Sequence, residues 1–395
     1  MEQLNVIHQI NELKKIISYA NKIGFFFGAG TSCAFGLPNV STLTQDIENA
    51  LPKPEKDIYA TIRARLAVLT APAAVTVEDI LNHIRQIREI THEREDCDYE
   101  GLTGKAAKEI DNQICNHIFE ILKTKESKSD ISEMQKFFAW YSAARRDGAK
   151  EVFTTNYDML LEMAMEKSQI PYFDGFVGSY EPFFWPEGID ISMPTANLPS
   201  QWIRLWKIHG SLNWELKPEG KGVPDRIVRT GRIDKPQNEL MIYPSREKYS
   251  LSRKQPFIAY FDRLKEYILN GELVFFISGY SFSDQHINEI IMNGLRQNPR
   301  LYSVVFCYSD EQVASMADSC KTFLNICAMG PTQVLLNGKL YAWEYDTSQD
   351  DDRKFQFYWN ETDKKFTLGD FKCLIEFLIE HSGHRAVIEE AVNGK

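Results

Sequence analysis

Close pairs of cysteines are absent from this sequence of 395 residues. Its seven cysteines are scattered over positions 33, 97, 115, 307, 320, 327 and 373, and no two of them form a Cys-x-x-Cys pair. Because a four-cysteine zinc site needs two such pairs, we expect no zinc ribbon and no bound metal. An odd, scattered set of cysteines predicts reduced thiols and a cytoplasmic protein.

The sequence also lacks long apolar runs and an excess of positive charge. No run approaches the roughly 18 apolar residues of a membrane-spanning helix, and the start does not show the pattern of a signal peptide, so we expect no membrane association. Lys and Arg number 45 against 55 Asp and Glu, which gives a net charge of −10. Nucleic-acid binding relies on dense positive charge, so direct binding of DNA or RNA is not expected.

An abrupt change of residue size marks the segment GFFFGAGTSCAFGLPNVSTLT, residues 24–44. Ile23–Phe27 is predicted to form a buried strand, after which small residues let the backbone approach a ligand. The strict dinucleotide pattern G-x-G-x-x-G would need a glycine where the chain has Cys33, so a simple tight turn is the alternative. Thr31 and Ser32 favour the ligand, because backbone N–H groups and the Ser32 hydroxyl can face a pyrophosphate.

Four apolar segments end in small or polar residues, and these endings are GAGTS, TTNYD, HGS and GYS. Apolar strands that alternate with helices predict an α/β fold with a Rossmann-like parallel sheet and helices on both faces. Ligands of such sheets bind beyond the carboxyl ends of the strands. All four clusters are therefore expected to line one cleft.

The remaining periodicity predicts the domain organisation. Residues 1–310 are expected to form one catalytic domain, which starts with an amphipathic helix over MEQLNVIHQINELKKIISYANK and contains a helical insertion at about 45–150. Residues 171–200 predict a long ordered loop. Residues 311–395 predict a small α+β C-terminal extension, with strands over TQVLLNGKLYAWEYD and FQFYWN, that serves assembly or partner docking. A chain that ends near Gly330 is then expected to stay folded; the alternative is that the extension covers the edge of the sheet.

Three polar residues at predicted strand ends are candidates for chemistry. Asn156 can donate and accept hydrogen bonds, which suits a sugar hydroxyl or a water, whereas ionised Asp158 only accepts and suits an amide N–H₂. The alternative is that both residues cap the next helix. His209 beside Gly210 suits general-base work, although a structural role is the alternative. His286, expected in the first turn of a helix, competes with it.

The motifs GAG-x-S, TTNYD, K-x-HGS and GYSFSDxHIN, in this order, resemble the sirtuin (silent information regulator) family over about residues 20–310. More narrowly, they resemble its bacterial branch in anti-phage defence. The resemblance implies binding of NAD⁺ and cleavage of its nicotinamide–ribose bond. It implies that Asn156 positions the ribose or the attacking water, that Asp158 holds the carboxamide, and that His209 is the base or a ribose contact. It assigns the pyrophosphate and adenosine sides of NAD⁺ to Gly28, Ala29, Gly30, Thr31, Ser32, Gly279 and Ser281.

Departures from the family pattern narrow the expected activity. Protein-deacylating sirtuins usually carry Pro-Asp-Phe-Arg where this chain has Pro38-Asn39-Val40-Ser41, and MIYPSREKYS stands where their peptide-binding Phe-Gly-Glu segment lies. Their zinc cysteines are missing too. We therefore expect an NAD⁺ hydrolase that depletes NAD⁺ in infected cells. The alternatives are a protein deacylase or ADP-ribosyltransferase, and a non-catalytic sensor of NAD or ADP-ribose.

Regulation is expected from outside the catalytic part. An NAD⁺ hydrolase that is always active would poison its own cell, so its activity must be gated. The resemblance implies a homo-oligomer and, as the partner that controls it, a HerA-type ATPase.

Overall fold

The computed structural model describes residues 1–69, 75–144, 146, 149–190, 198–199, 201–220, 225–231, 239–242, 255–346, 355–382 and 385–393. Their strands are β1 (Glu2–Asn5), β2 (Ile23–Phe27), β3 (Asp98–Tyr99), β4 (Leu102–Thr103), β5 (Lys150–Thr154), β6 (Tyr172–Phe173), β7 (Phe176–Val177), β8 (Phe183–Phe184), β9 (Ile203–Lys207), β10 (Gly210–Lys217), β11 (Arg226–Arg229), β12 (Glu239–Ile242), β13 (Leu273–Ser278), β14 (Leu301–Phe306), β15 (Ile326–Met329), β16 (Gln333–Leu336), β17 (Lys339–Glu344), β18 (Trp359–Asn360) and β19 (Lys365–Phe366).

The helices of the same residues are α1 (Val6–Tyr19), α2 (Ala29–Cys33), α3 (Val40–Ala50), α4 (Glu55–Leu69), α5 (Val77–Ile90), α6 (Gly104–Glu126), α7 (Ser132–Ala143), α8 (Leu160–Lys167), α9 (Phe257–Leu269), α10 (Gln285–Gln297), α11 (Asp310–Ala317), α12 (Phe371–Glu380) and α13 (Arg385–Asn393). Short 3₁₀ turns lie at Pro186–Gly188 and Phe355–Phe357. Among the residues that the structure describes, no helix is long and apolar enough to cross a membrane.

A ten-stranded sheet organises the molecule, with the strand order β1-β17-β16-β15-β14-β13-β2-β5-β9-β6. The seven strands from β15 to β6 run parallel, and β16 pairs antiparallel with both β15 and β17. Helices cover both faces of the sheet. The predicted Rossmann-like α/β fold is therefore confirmed, and the carboxyl ends of β13, β2, β5 and β9 meet at one edge.

The three phenylalanines of β2 pack into the cores on both faces of the main sheet. Phe25 and Phe27 belong to the core on one face of the sheet, where both contact Phe137 of α7 at ring distances of 4.9 and 5.4 Å. Phe26 belongs to the core on the other face and contacts Tyr280 at 4.9 Å. A central strand of a covered parallel sheet needs apolar side chains on both faces.

The predicted insertion is helical, whereas the first residues of the chain form a strand. The described residues of the insertion are helical as predicted, from α3 to α7, and the small hairpin β3–β4 lies between α5 and α6. The first residues were predicted as helix, and that is wrong for Glu2–Asn5, because they pair in parallel with β17. Helix α1 then begins at Val6, where the side chain of Asn5 accepts a hydrogen bond from the N–H of Ile7 at 2.8 Å.

A second, five-stranded sheet has the order β12-β10-β11-β8-β7. Two of its strands, β7 and β8, come from the aromatic segment 171–200, and β6 of the same segment belongs to the ten-stranded sheet. The segment was predicted as a loop without regular strands, and that prediction is wrong for these three strands. Residues 191–197 and 200 of this segment lie outside the described residues, as do residues 243–250 of MIYPSREKYS.

The segment after residue 310 continues the main sheet and its core. Strands β15–β17 extend the sheet, while FQFYWN forms a 3₁₀ turn and a two-residue strand rather than the predicted longer strand. Buried side chains of this segment include Trp343, Phe371 and Phe377. Their loss would expose the core under α7, which argues against the expectation that a chain ending near Gly330 stays folded. The domain boundary at residue 310 stays a prediction.

Candidate active site

A cavity of about 600 Å³ lies at the carboxyl ends of the central strands, within the size range of small-molecule sites. All four polar clusters predicted from the sequence contribute to it. Of the ten candidate residues, eight line the cavity, namely Ala29, Gly30, Ser32, Asn156, Asp158, His209, Gly279 and Ser281. The other two, Gly28 and Thr31, are buried and are not among its lining residues.

The glycines of the two loops allow those loops to pack against each other. The N–H of Gly28 donates to Ser278 O at 3.0 Å, and the N–H of Gly30 donates to Gly279 O at 2.8 Å. A Cβ on Gly28 would lie 2.5 Å from Gly279 O, and one on Gly279, whose φ is +65°, would overlap the backbone N of Thr31. Close backbone packing is therefore a first reason for these glycines, and the Gly30 N–H is already used. Their contact with a pyrophosphate stays a prediction.

The amide of Asn156 is fixed with its nitrogen toward the glycine loop. Its Nδ2 lies 3.0 Å from Gly28 O, 3.1 Å from Thr31 Oγ1 and 2.8 Å from Ser32 Oγ. Both hydroxyls donate elsewhere, Thr31 to Gly28 O and Ser32 to Asp158, so toward Asn156 they can only accept. The nitrogen must therefore face the glycine loop. Oδ1 has no hydrogen-bond partner among the described residues and is the atom left to meet a ligand.

Asp158 is hydrogen-bonded to the start of a helix and also lines the cavity. Its Oδ2 accepts from Ser32 Oγ at 2.6 Å, and its Oδ1 accepts from the N–H of Leu160 in the first turn of α8 at 3.1 Å. The carboxylate thus ties the glycine loop to a helix start while it also lines the cavity. Its contact with a carboxamide stays a prediction.

A buried lysine is hydrogen-bonded to the backbone of the Asn156–Asp158 turn. Lys207, the last residue of β9, donates to the backbone O of Asp158 and to Glu162 Oε1, the latter at 2.8 Å. Both side chains are buried. Sequence reasoning assigned no role to either; a lysine at the end of an apolar strand was the available signal.

His209 is paired with a carboxylate that the sequence analysis did not assign. Its Nε2 lies 3.0 Å from Oδ2 of Asp284, and both residues are more than nine-tenths buried. His286, the competing histidine, lies in the first turn of α10 as predicted and is not among the residues that line the cavity. The geometry therefore favours His209 as the histidine that can meet a ligand.

The outer wall of the cavity comes from segments that no local motif indicated. Tyr308 and Gln312 contribute from the end of β14 and from α11, and residues 369–371 contribute from the start of α12. The last of these lie about 340 residues beyond the glycine loop in the chain. Only the tertiary fold brings them together.

The comparisons with known proteins agree with this part of the fold. Residues 150–326 match the family model of the SIR2-like domain. The match supports a sirtuin-like domain, and with it NAD-dependent chemistry in general. It starts at β5 and ends at β15, so it includes Asn156, Asp158, His209, Gly279 and Ser281 but not the glycine loop after β2. A search of curated proteins found no match to the chain.

The residues that the structure describes contain no group of three or more His, Cys, Asp or Glu side chains that could hold a metal ion. The cysteines among them are all free thiols, and burial raises the pKa of the Cys33 thiol beside the cavity. His384, a conceivable ligand beside His381, lies outside the described residues. The expectation that the protein binds no metal stays a prediction.

Proposed function

We propose that the protein is an NAD⁺ hydrolase that releases nicotinamide and ADP-ribose. One observation carries the proposal. Asn156 and His209 both line the cavity, and each has a side-chain atom that can accept a hydrogen bond, Oδ1 and Nδ1, without a hydrogen-bond partner among the described residues. A water or ribose hydroxyl needs acceptors of this kind, placed beside loops that the SIR2-like match relates to NAD use.

The reaction breaks the bond between the ribose anomeric carbon and the nicotinamide nitrogen. The bonding electron pair stays on nicotinamide and neutralises its ring nitrogen, which leaves a ribosyl cation. A water molecule adds to that carbon through an oxygen lone pair, and His209 takes the proton that the water loses. The carboxylates of Asp158 and Asp284 both line the cavity, and fixed negative charge in a partly dry site stabilises a developing cation.

Nicotinamide release from NAD⁺ alone tests the proposal. The purified full-length chain is incubated with NAD⁺, with and without an acylated peptide, and the products are separated by chromatography. Release of nicotinamide and ADP-ribose without peptide supports the hydrolase. Release that requires the peptide would indicate a deacylase, and saturable binding without turnover would indicate a sensor.

Two variants and one control connect the activity to the site. Asn156→Ala and His209→Ala are expected to lower the rate by a factor on the order of 10²–10⁴, because each removes a positioned acceptor. His286→Ala is the matched control, since His286 does not line the cavity. Loss of activity in the control with a normal His209→Ala rate would contradict the assignment.

We further propose that this activity serves anti-phage defence by depleting NAD⁺, and that it is gated by assembly. The motifs quoted from the sequence support a homo-oligomer controlled by a HerA-type ATPase. Light scattering is expected to give a mass several times 45.6 kDa. A monomer that cleaves NAD⁺ at full rate without any partner would contradict the gating.

A further inference from the structure

The carboxylate of Asp284 is hydrogen-bonded both to His209 and to the start of a helix. Asp284 is the N-cap of α10, and its Oδ1 accepts from the N–H groups of His286 and Ile287 at 3.0 and 3.2 Å. The hydroxyl of Tyr280 lies 3.2 Å from the backbone O of Asp284 and 2.9 Å from Oδ1 of Asn288, to either of which it can donate. The carboxylate is thus fixed at one oxygen by a helix, while its other oxygen, Oδ2, meets Nε2 of His209 at 3.0 Å.

We propose that Asp284 is a positioning residue that sets the tautomer of His209, so that Nδ1 is the atom that takes a proton from the substrate water. The inference rests on the proposed function, because it assigns the base within that same site. An ionised carboxylate only accepts hydrogen bonds, so Nε2 must carry the hydrogen of the neutral ring. The lone pair then lies on Nδ1, which has no partner among the described residues.

The same carboxylate also supports the charge that the reaction creates. When Nδ1 accepts the proton of the attacking water, the ring becomes an imidazolium, and Asp284 is already hydrogen-bonded to its other nitrogen. In serine proteases an aspartate orients a histidine and stabilises its charged form in this way, and the Asn variant there loses about 10⁴ in kcat through the wrong tautomer.

Helix capping alone does not account for Asp284. Asp370 caps α12 with the same geometry, because its Oδ1 accepts from the N–H groups of Lys372 and Cys373 at 2.8 and 3.3 Å. One oxygen is therefore enough for a cap. In Asp284 the second oxygen is directed to a histidine that lies 75 residues away in the chain.

Asp284→Asn separates the two roles. Asparagine keeps the shape and an oxygen for the cap, but it can present an N–H₂ group to His209 and so favour the tautomer with hydrogen on Nδ1. We expect kcat for nicotinamide release to fall on the order of 10²–10⁴ with KM and the free energy of unfolding almost unchanged. Serine at position 284 can still cap the helix but is too short to reach the ring in the same way, so we expect a similar fall of kcat in Asp284→Ser.

Asn5→Ala is the control for cap loss, since Asn5 caps α1 and does not line the cavity. It is expected to lower stability by about 1 kcal/mol and to leave kcat unchanged. Asp284→Asn with a kcat like that of wild type would overturn the inference.

A spectroscopic measurement tests the tautomer without any turnover. In protein with ¹⁵N-labelled histidine, at about pH 8.5, above the ordinary pKa of histidine, the His209 signals are identified by their loss in His209→Gln. We expect hydrogen on Nε2 in the wild type and on Nδ1 in Asp284→Asn. Hydrogen on Nδ1 in the wild type would refute the inference even if NAD⁺ is cleaved. The expected pattern without nicotinamide release would instead refute the proposed function and leave the pairing intact.

Discussion

Replacing Glu126 by glutamine is expected to stabilise the protein at alkaline pH. Glu126 is the last residue of α6, and its Oε1 accepts from the N–H of Met159 at 2.7 Å, in the turn that carries Asp158. Burial, and after it the negative charge of Asp158, raise the pKa of the Glu126 carboxyl from its ordinary 4.5 to about 7. The hydrogen bond from Met159 and the charge of Lys207 oppose this shift and are weaker.

The magnitude follows from linkage between protonation and folding. Below a pH of about 4.5 the carboxyl is neutral in both the folded and the unfolded chain, so it costs nothing. As the pH rises toward 7, the unfolded chain loses the proton while the folded protein keeps it, and stability falls. Above pH 7 the full difference applies, which is about 3 kcal/mol for a change from 4.5 to about 7. Glutamine keeps an acceptor for Met159 and cannot ionise.

Urea unfolding measured at several pH values checks this expectation. Glu126→Gln should exceed the wild type in free energy of unfolding by up to about 3 kcal/mol near pH 8.5 and by about 1 kcal/mol near pH 5. Glu120→Gln is the control, because Glu120 is an exposed residue of the same helix. The reasoning is refuted if the two variants show the same dependence on pH.

Three further predictions concern packing and metal. Gly279→Ala should lower the melting temperature much more than Gly101→Ala, because both glycines have positive φ but only a Cβ at Gly279 meets backbone atoms. Gly101→Ala, the control, should lower the free energy of unfolding by about 1 kcal/mol. Equal losses in the two variants would show that the contact between the loops is unimportant. A chain ending at Gly330 should be insoluble or unfolded by circular dichroism, since it lacks the buried Phe371; a cooperative unfolding transition would contradict this. A chelator should leave nicotinamide release unchanged and the purified protein should contain less than stoichiometric zinc, and a tightly held zinc would disprove it.

The sequence was sufficient to predict the edge of the sheet where the cavity lies. Runs such as Phe25–Phe27 are apolar on both faces, as a covered parallel strand requires, and the residue type changes where each strand ends. Parallel strands then bring their carboxyl ends together whatever the intervening sequence is. Asn156, Asp158 and His209 could therefore be assigned to one cleft without knowledge of the helices between them.

The hydrogen-bond partners within that cleft could not be predicted in the same way. A sequence pattern shows that Asp284 precedes a helix, but the direction of its second oxygen depends on where β9 ends relative to β13. The reason for Gly279 was likewise hidden, because its neighbour is the backbone of Thr31 on another loop. Residues 2–5 became a strand only because β17 offered an unpaired edge. Each of these features depends on long-range packing that local periodicity does not contain.

The C-terminal segment extends the edge of the main sheet, as one of the two sequence expectations had it, and its role in docking stays a prediction. Its strands extend the sheet, and Gly369 before α12 packs against the backbone of Cys307 at the end of β14. Asp370 and Phe371 follow directly into the wall of the cavity. Phe371 contacts Phe27, the last residue before the glycine loop, at 4.9 Å. A partner that displaced α12 would therefore change the cavity wall and the support of that loop together, so the proposed gating requires no separate sensor domain.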